Sequence, residues 1–303
     1  MKQNKLGSSD LFVGEIGLGC MSLRTEEGKA VALVHEAIER GVTLLDTADL
    51  YDDGLNERLV GKALKGRRDR VVLATKAGNR RVPGQDGWTW DASKAYIKSA
   101  AKASLRRLET DYIDLFQLHG GTMDDPIGET IEAFEELKQE GWIRAYGISS
   151  IRPTVIREYA GRSSIASVMN PYSIADRRAE EQVLPLLREH GISVIARGPL
   201  AGGSLAANRE PAKPHLGYGL EELRLLRARL SELTGEGRSL TELAIRYSLS
   251  DPAVAAVVPG ASSLEQLLLN LKAADVPALT ATELATIRDA SEANRYEAHR
   301  ISG

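Results

Sequence analysis

Residues 26–46 read EEGKAVALVHEAIERGVTLLD, and the build of this stretch decides the fold. Glu26–Arg40 carries the apolar spacing of an amphipathic helix, and Gly41 suits the left-handed residue that ends one. Thr43–Asp46 is then a short apolar run that ends on a polar residue. The same unit recurs along the chain. Further strands are expected at Ile16–Gly19, Val71–Lys76, Ile113–His119, Ile143–Ile148, Ala166–Met169, Ile192–Ala196 and Ala253–Val258. Between them, Ser93–Arg107, Ile127–Glu140 and Ala179–His190 have helical patterns, and Gly141 and Gly191 stand where Gly41 does. Near-continuous Val, Ile, Leu and Ala runs are the mark of parallel strands buried on both faces. Eight such repeats with no evident linker predict an α/β fold, a single (β/α)8 TIM barrel over residues 1–303. A doubly wound sheet with a second domain is the alternative. It would need a G-x-G-x-x-G turn opening its first helix, and none is present.

Working outward, Lys2–Val13 with Gly7-Ser8-Ser9-Asp10 at its centre reads as a hairpin ahead of the first barrel strand. It is expected to plug the bottom, because barrel chemistry sits at the C-terminal ends of the strands. Ala206–Gly219 is the one long turn-rich stretch, either a lid or a plain surface loop, and Tyr296–Gly303 is a polar tail.

Bulk properties exclude several functions. A hydrophobic share of 43% with 27% charged residues fits a globular protein with a full core. The net charge of -3 gives no general attraction to nucleic acid, and Arg67, Arg68 and Arg70 read as a solvated helix-to-strand turn. Cys20 is the only cysteine, so no internal disulfide forms. The first ten residues, MKQNKLGSSD, lack the apolar core of a secretory signal, and no run approaches the roughly 18 apolar residues of a membrane span. A cytoplasmic protein with no membrane partner is expected. The five histidines show no metal-ligand spacing.

Four polar residues fall where strands hand over to loops. Asp46 ends the second strand, Tyr51 follows in its loop, Lys76 ends the third strand and His119 the fourth. Each alone has a structural reading: a loop cap, a rim packing residue, a buried polar end, a satisfied core histidine. Their placement at consecutive strand ends points instead to one pocket. A free tyrosine, with a pKa near 10, is a poor proton donor at neutral pH, and a neighbouring ammonium favours its phenolate. An aspartate would hold that lysine charged, and a histidine would guide a carbonyl oxygen toward the hydroxyl.

The segment GVTLLDTADLYDDGLNERLVGKAL resembles the G-x-x-x-x-D-T-A-x-x-Y-x-x-G-x-x-E signature of the aldo-keto reductase superfamily. LATK, SLRRLETDYIDLFQLH, GWIRAYGIS and VVPGASSLEQ are similar to that family in the same order, from about Leu6 to Asn270. The resemblance implies a (β/α)8 barrel, a tyrosine acid and a nicotinamide cofactor bound extended across its top. It places Asp46, Tyr51, Lys76 and His119 on the family's catalytic tetrad.

By the same resemblance Ser149 holds the nicotinamide carboxamide, but Ser150 replaces the usual asparagine and Met169 the usual glutamine. Asn170 should face the other side of its strand. Arg197 stands where an aromatic residue usually stacks on the nicotinamide. A cation there opposes the positive ring formed on oxidation, unless it turns away toward phosphate or an acidic substrate. Gly198, Pro199, Leu200 and Gly203 form a loop whose amides can approach a pyrophosphate. Ser262 lies near the helix start suited to the adenosine 2′-phosphate, and Asn270 matches an adenine contact. Gly260 and Gln266 stand where NADPH-selective members often carry Lys and Arg. NADPH is the expected cofactor, with NADH possible. Met21, Trp88 and Trp90 are candidates for an apolar substrate wall, although the tryptophans have a second reading as cover for the helix layer. The reaction expected is reduction of a small carbonyl compound. A Schiff-base lyase using Lys76, or a non-enzymatic cofactor-binding subunit of the kind some family members provide, are the alternatives.

Overall fold

The computed structural model describes residues 1–82, 87–234 and 237–301. Strands β1 (Gln3–Lys5) and β2 (Phe12–Gly14) pair antiparallel, followed by β3 (Leu18–Gly19), β4 (Leu44–Asp46) and β5 (Val72–Ala77). β6 (Asn79–Arg80) and β7 (Thr89–Trp90) form a small ribbon in the next loop. β8 (Ile113–Leu118), β9 (Ile143–Ser149), β10 (Ser167–Pro171), β11 (Ser193–Arg197) and β12 (Val254–Val258) complete the set. The helices are α1 (Glu27–Glu39), α2 (Leu55–Leu64), α3 (Lys94–Leu108), α4 (Ile127–Gln139) and α5 (Pro153–Arg162), then α6 (Val183–Glu189), α7 (Leu220–Glu232), α8 (Leu240–Ser248), α9 (Leu264–Leu271) and α10 (Ala281–Ala290).

The order β3-β4-β5-β8-β9-β10-β11-β12 is parallel throughout. Parallel bridges Ile16–Val257 and Gly19–Gly260 join its two edges, so the sheet closes into the expected (β/α)8 barrel. The first strand is shorter than its apolar run, since only Leu18 and Gly19 pair with β4 while Ile16 bridges Val257. The run Ala179–His190 is not one helix. It breaks at Gln182 into a short 3-10 turn and α6, with Pro185 inside the first turn of α6. Proline is tolerated there, but it restricts the residue before it and cannot continue a helix from behind. Gly41, Gly141 and Gly191 all have positive φ where their helices end.

Two apolar layers make the core. One joins Leu6, Leu11 and Val13 of the hairpin to Leu44, Val72, Ala74, Leu115, Ala145, Met169, Ile195 and Ala256, the inward residues of the strands. The other packs outward residues such as Leu45, Leu73 and Phe116 against Val34, Ile97 and Phe134 of the helices. The hairpin seals the N-terminal end, as its contacts show. Asn4 donates to the Ala255 carbonyl at 2.8 Å, and Gly7 N–H to Ser193 Oγ at 2.8 Å. Gly7 has φ +54°, and a Cβ there would lie 2.2 Å from the Ala166 carbonyl oxygen, so this turn admits no side chain. The arginine cluster is solvated at Arg67 and Arg70, as expected, but Arg68 turns inward. Arg68 pairs with buried Asp114 at 2.6 Å, while Arg67 and Arg70 both meet Glu39. One carboxylate comes from the end of α1 and the other from the start of β8.

Candidate active site

Side chains two apart on a strand share a face. Leu44, Ala74, Leu115 and Ile195 fill the lumen, so Asp46, Lys76, Gln117 and Arg197 form the layer above them, at the C-terminal mouth. Lys76 is fully buried. Its Nζ donates to Asp46 Oδ2 at 2.8 Å, to the Thr47 carbonyl at 2.8 Å and to the Tyr51 hydroxyl at 3.3 Å. Three N–H groups therefore meet three acceptors. The Tyr51 and His119 rings meet edge to face, 6.0 Å between centroids. Tyr51 is carried by a loop in which Asp52 and Asp53 both adopt left-handed backbone, at φ 48° and 54°. Aspartate tolerates that region better than most residues, and Arg81 Nε holds Asp53 at 2.8 Å.

Burial sets the electrostatics. It raises the Asp46 carboxyl above its usual range, with Lys76 only partly offsetting it. Burial opposes the Lys76 charge, yet Asp46 and Tyr51 outweigh it, and Lys76 is held more firmly protonated than usual. Burial also raises Tyr51, and Lys76 pulls in the opposite direction. The lysine acts on the phenol with the expected sign, but desolvation is the larger effect. His119 is pushed down to about 3 by burial and by the charges of Lys76 and Arg197, so its ring is neutral at any working pH.

The tetrad lies in a cavity of about 750 Å3, which continues past Ser149, Met169, Arg197, Gly198, Pro199, Leu200 and Gly203 to Gly260, Ser262, Gln266 and Asn270. Met21, Trp88 and Ile151 are exposed apolar residues of its lining. Trp90 is not part of that lining, contrary to expectation. Its indole N–H donates to Asp125 Oδ1 at 2.7 Å, and its ring lies over Gly78 and Gly120, where a Cβ would meet it at 2.6 and 2.8 Å. A half-buried indole needs an acceptor, and Asp125 supplies it away from the cavity. Asn170 faces outward as expected, donating to the Ser150 carbonyl at 2.7 Å and accepting from Tyr296 at 3.0 Å.

The far end is more tightly bonded than its sequence suggested. Gln266 Oε1 accepts both the amide and the hydroxyl of Ser262, at 2.9 and 3.1 Å, and Asn270 donates to the Gly260 carbonyl at 3.2 Å. These side chains shape the β12–α9 turn from within. A Cβ on Gly260 would lie 2.3 Å from Ser22 Oγ, so a side chain there would require the Ser22 hydroxyl to turn aside. Ala206, Asn208 and Arg209 reach the cavity from the loop after β11, and Asn208 donates to Glu265 at the start of α9 at 3.1 Å. The rest of the Ala206–Gly219 stretch is not part of the lining.

The donor set fits an elongated anionic cofactor. Lys76, Arg152, Arg197 and Arg209 face a single carboxylate, Asp46, among the described lining residues. Gly198 and Gly202 have positive φ and open space around their Cβ positions, so their backbone is accessible. Sequence reasoning missed Gln117, which is fully buried with both amide atoms unpartnered. The two-residue spacing from His119 along the strand was its only signal. It also missed Asp49. That carboxyl faces a second cavity of about 790 Å3 outside the barrel wall, beside Tyr96 and Arg107. Burial and the nearby Glu57 push it up to about 7.

Comparison with known proteins agrees with this geometry. Residues 15–292 match the model of the aldo/keto reductase family. The chain belongs to that family. This aldo/keto reductase is 54% identical over 307 residues to an uncharacterized oxidoreductase, YqkF, of Bacillus subtilis (strain 168), covering 99% of this chain and all of the relative. It superposes on the holo form of aldo-keto reductase AKR11C1 from Bacillus halodurans with a TM-score of 0.95 and 57% identity, over 99% of this chain and 100% of that one. The apo form of the same protein gives 0.86. An aldo/keto reductase from Klebsiella pneumoniae, solved in complex with NADP and acetate, is 29% identical over 98% of each chain, with a TM-score of 0.79. The chain is thus an oxidoreductase by family, and no described helix is long and apolar enough to cross a membrane.

Proposed function

We propose that this aldo/keto reductase reduces small aldehydes or ketones to alcohols, with NADPH as hydride donor and Tyr51 as proton donor. The carrying observation is the Lys76 ammonium, bonded at once to Asp46 and to the Tyr51 hydroxyl on the floor of a long cationic cavity. The NADP bound to the Klebsiella relative supports the cofactor assignment. Ser149, Met169 and the Gly198–Gly203 loop would hold the nicotinamide end and the diphosphate, and Ser262 with the α9 N-terminus the adenosine end. NADPH, when bound, supplies hydride to the carbonyl carbon.

The protein's own residues do the rest. Neutral His119 donates one hydrogen bond to the carbonyl oxygen and aligns it with the Tyr51 hydroxyl. The Tyr51 proton moves to that oxygen as negative charge develops on it. Lys76 stabilises the phenolate left behind, and Asp46 keeps Lys76 charged. A Schiff-base role for Lys76 is disfavoured, because all its N–H groups are engaged and Asp46 and Tyr51 hold it protonated.

The test is Tyr51→Phe. Loss of reduced-nicotinamide consumption by about a hundredfold or more is expected, with NADPH still quenching the protein's tryptophan fluorescence at the wild-type concentration. Unchanged turnover refutes Tyr51 as the acid, and equal affinity for NADPH and NADH refutes the cofactor preference.

A further inference from the structure

Arg197 is a charged residue of the lining to which the proton-transfer step gives no role. It ends β11 on the inward face, two residues beyond Ile195, so it stands in the same layer as Asp46 and Lys76. It is exposed to the cavity, and its guanidinium has no hydrogen bond or ion pair among the described residues. The other cations are engaged or remote. Lys76 is bonded to Asp46, Arg152 donates to the Gly121 carbonyl, and Arg209 lies against Gly203 on the loop side. Only Lys76 and Arg197 place positive charge on both Tyr51 and His119, and Lys76 already has its anion.

An unpaired guanidinium beside a proton donor is a recognition element. Its planar donors match a carboxylate in a bidentate fork, and such charge-assisted pairs are stronger where water is partly excluded. Met21, Trp88 and Ile151 supply apolar surface around the same mouth. Resting on the carbonyl-reduction reading, we infer that Arg197 selects carbonyl substrates that carry a carboxylate, an oxo acid or an aldehyde acid, over neutral ones of equal size. The carboxylate docks on Arg197 while the carbonyl reaches Tyr51 and His119. Asp46 is the only carboxylate of the described lining, and its bond to Lys76 keeps it from competing for Arg197.

The experiment compares 4-carboxybenzaldehyde with its methyl ester, methyl 4-formylbenzoate, as substrates with NADPH. The wild-type protein is expected to favour the acid by about tenfold or more in kcat/KM. That ratio collapses toward one in Arg197→Met, recovers in part in Arg197→Lys, and shrinks as potassium chloride is added. Taking a ratio cancels any effect the substitution has on both substrates alike. NADPH affinity, read by fluorescence quenching, gives a second axis. If Arg197→Met lowers both substrates equally and weakens NADPH binding by the same factor, Arg197 is a cofactor contact and the inference falls. A wild-type protein that reduces the ester as readily as the acid also overturns it, yet leaves carbonyl reduction standing. One that reduces neither, and consumes no NADPH with small neutral aldehydes and ketones, overturns both.

Discussion

Asp49 to asparagine tests the electrostatics around the tyrosine loop with a near-isosteric change. The carboxyl accepts the Tyr96 hydroxyl at 3.4 Å on one oxygen, while the other is buried without a partner. Glu57 faces it from α2, and Arg107, whose charge opposes the shift, is bonded to Glu57 at 2.5 Å. Folding pushes this carboxyl up to about 7, from an ordinary 3.8. A group whose pKa is raised by folding binds its proton more tightly when folded, so ionising it costs stability as pH rises from 3.8 to about 7. About three units at roughly 1.4 kcal/mol each bound the cost at about 4 kcal/mol. Partial solvent access brings the expected gain from Asp49→Asn to the order of 2 kcal/mol at pH 8. In a chain of this size that is about 4 °C in Tm. For a gain of that size the same linkage leaves about two thirds of it at pH 5, and it vanishes toward pH 3. Thermal melts of both proteins across that range decide the matter. A gain independent of pH, or one largest in acid, refutes the reasoning.

Two further outcomes follow from the tetrad. Lys76→Met leaves Asp46 ionisable and unpaired in a buried site, so it should destabilise by about 3–5 kcal/mol. Adding Asp46→Asn should restore part of that in denaturant melts, whereas simple packing loss would leave the double variant no better than the single. Burial and the charges of Lys76 and Arg197 push His119 down to about 3 from an ordinary 6.5, so the folded protein loses stability as pH falls from 6.5 toward 3. His119→Gln should flatten the decline between those values in pH-dependent melts, and the rate profile should show no limb near 6.5 from this ring.

How much of this was legible before folding differs from element to element. The repeated unit of amphipathic helix, left-handed glycine and apolar run is local chemistry, and it specified the barrel and its hairpin plug. The period-2 rule then implied that Asp46 and Lys76 crown their strands, and each strand end aims at the same axis in a closed barrel. Site residues fixed by strand phase were therefore readable. Trp90 was not, because its direction depends on Asp125 and on the space above Gly78 and Gly120. The balance at Tyr51 was not readable either. The sign of the Lys76 effect follows from charge alone, but its size against desolvation depends on how the loops bury the phenol. Gly260 looked like a missing charge in the sequence. In the fold it is a position where barrel closure sets the Ser22 side chain against it, so a larger residue needs that hydroxyl to move. The sequence by itself determined the strand phase, and with it which residues meet at the mouth. Tertiary packing decided which charges find partners there, because partner distance and desolvation exist only once distant loops are brought together.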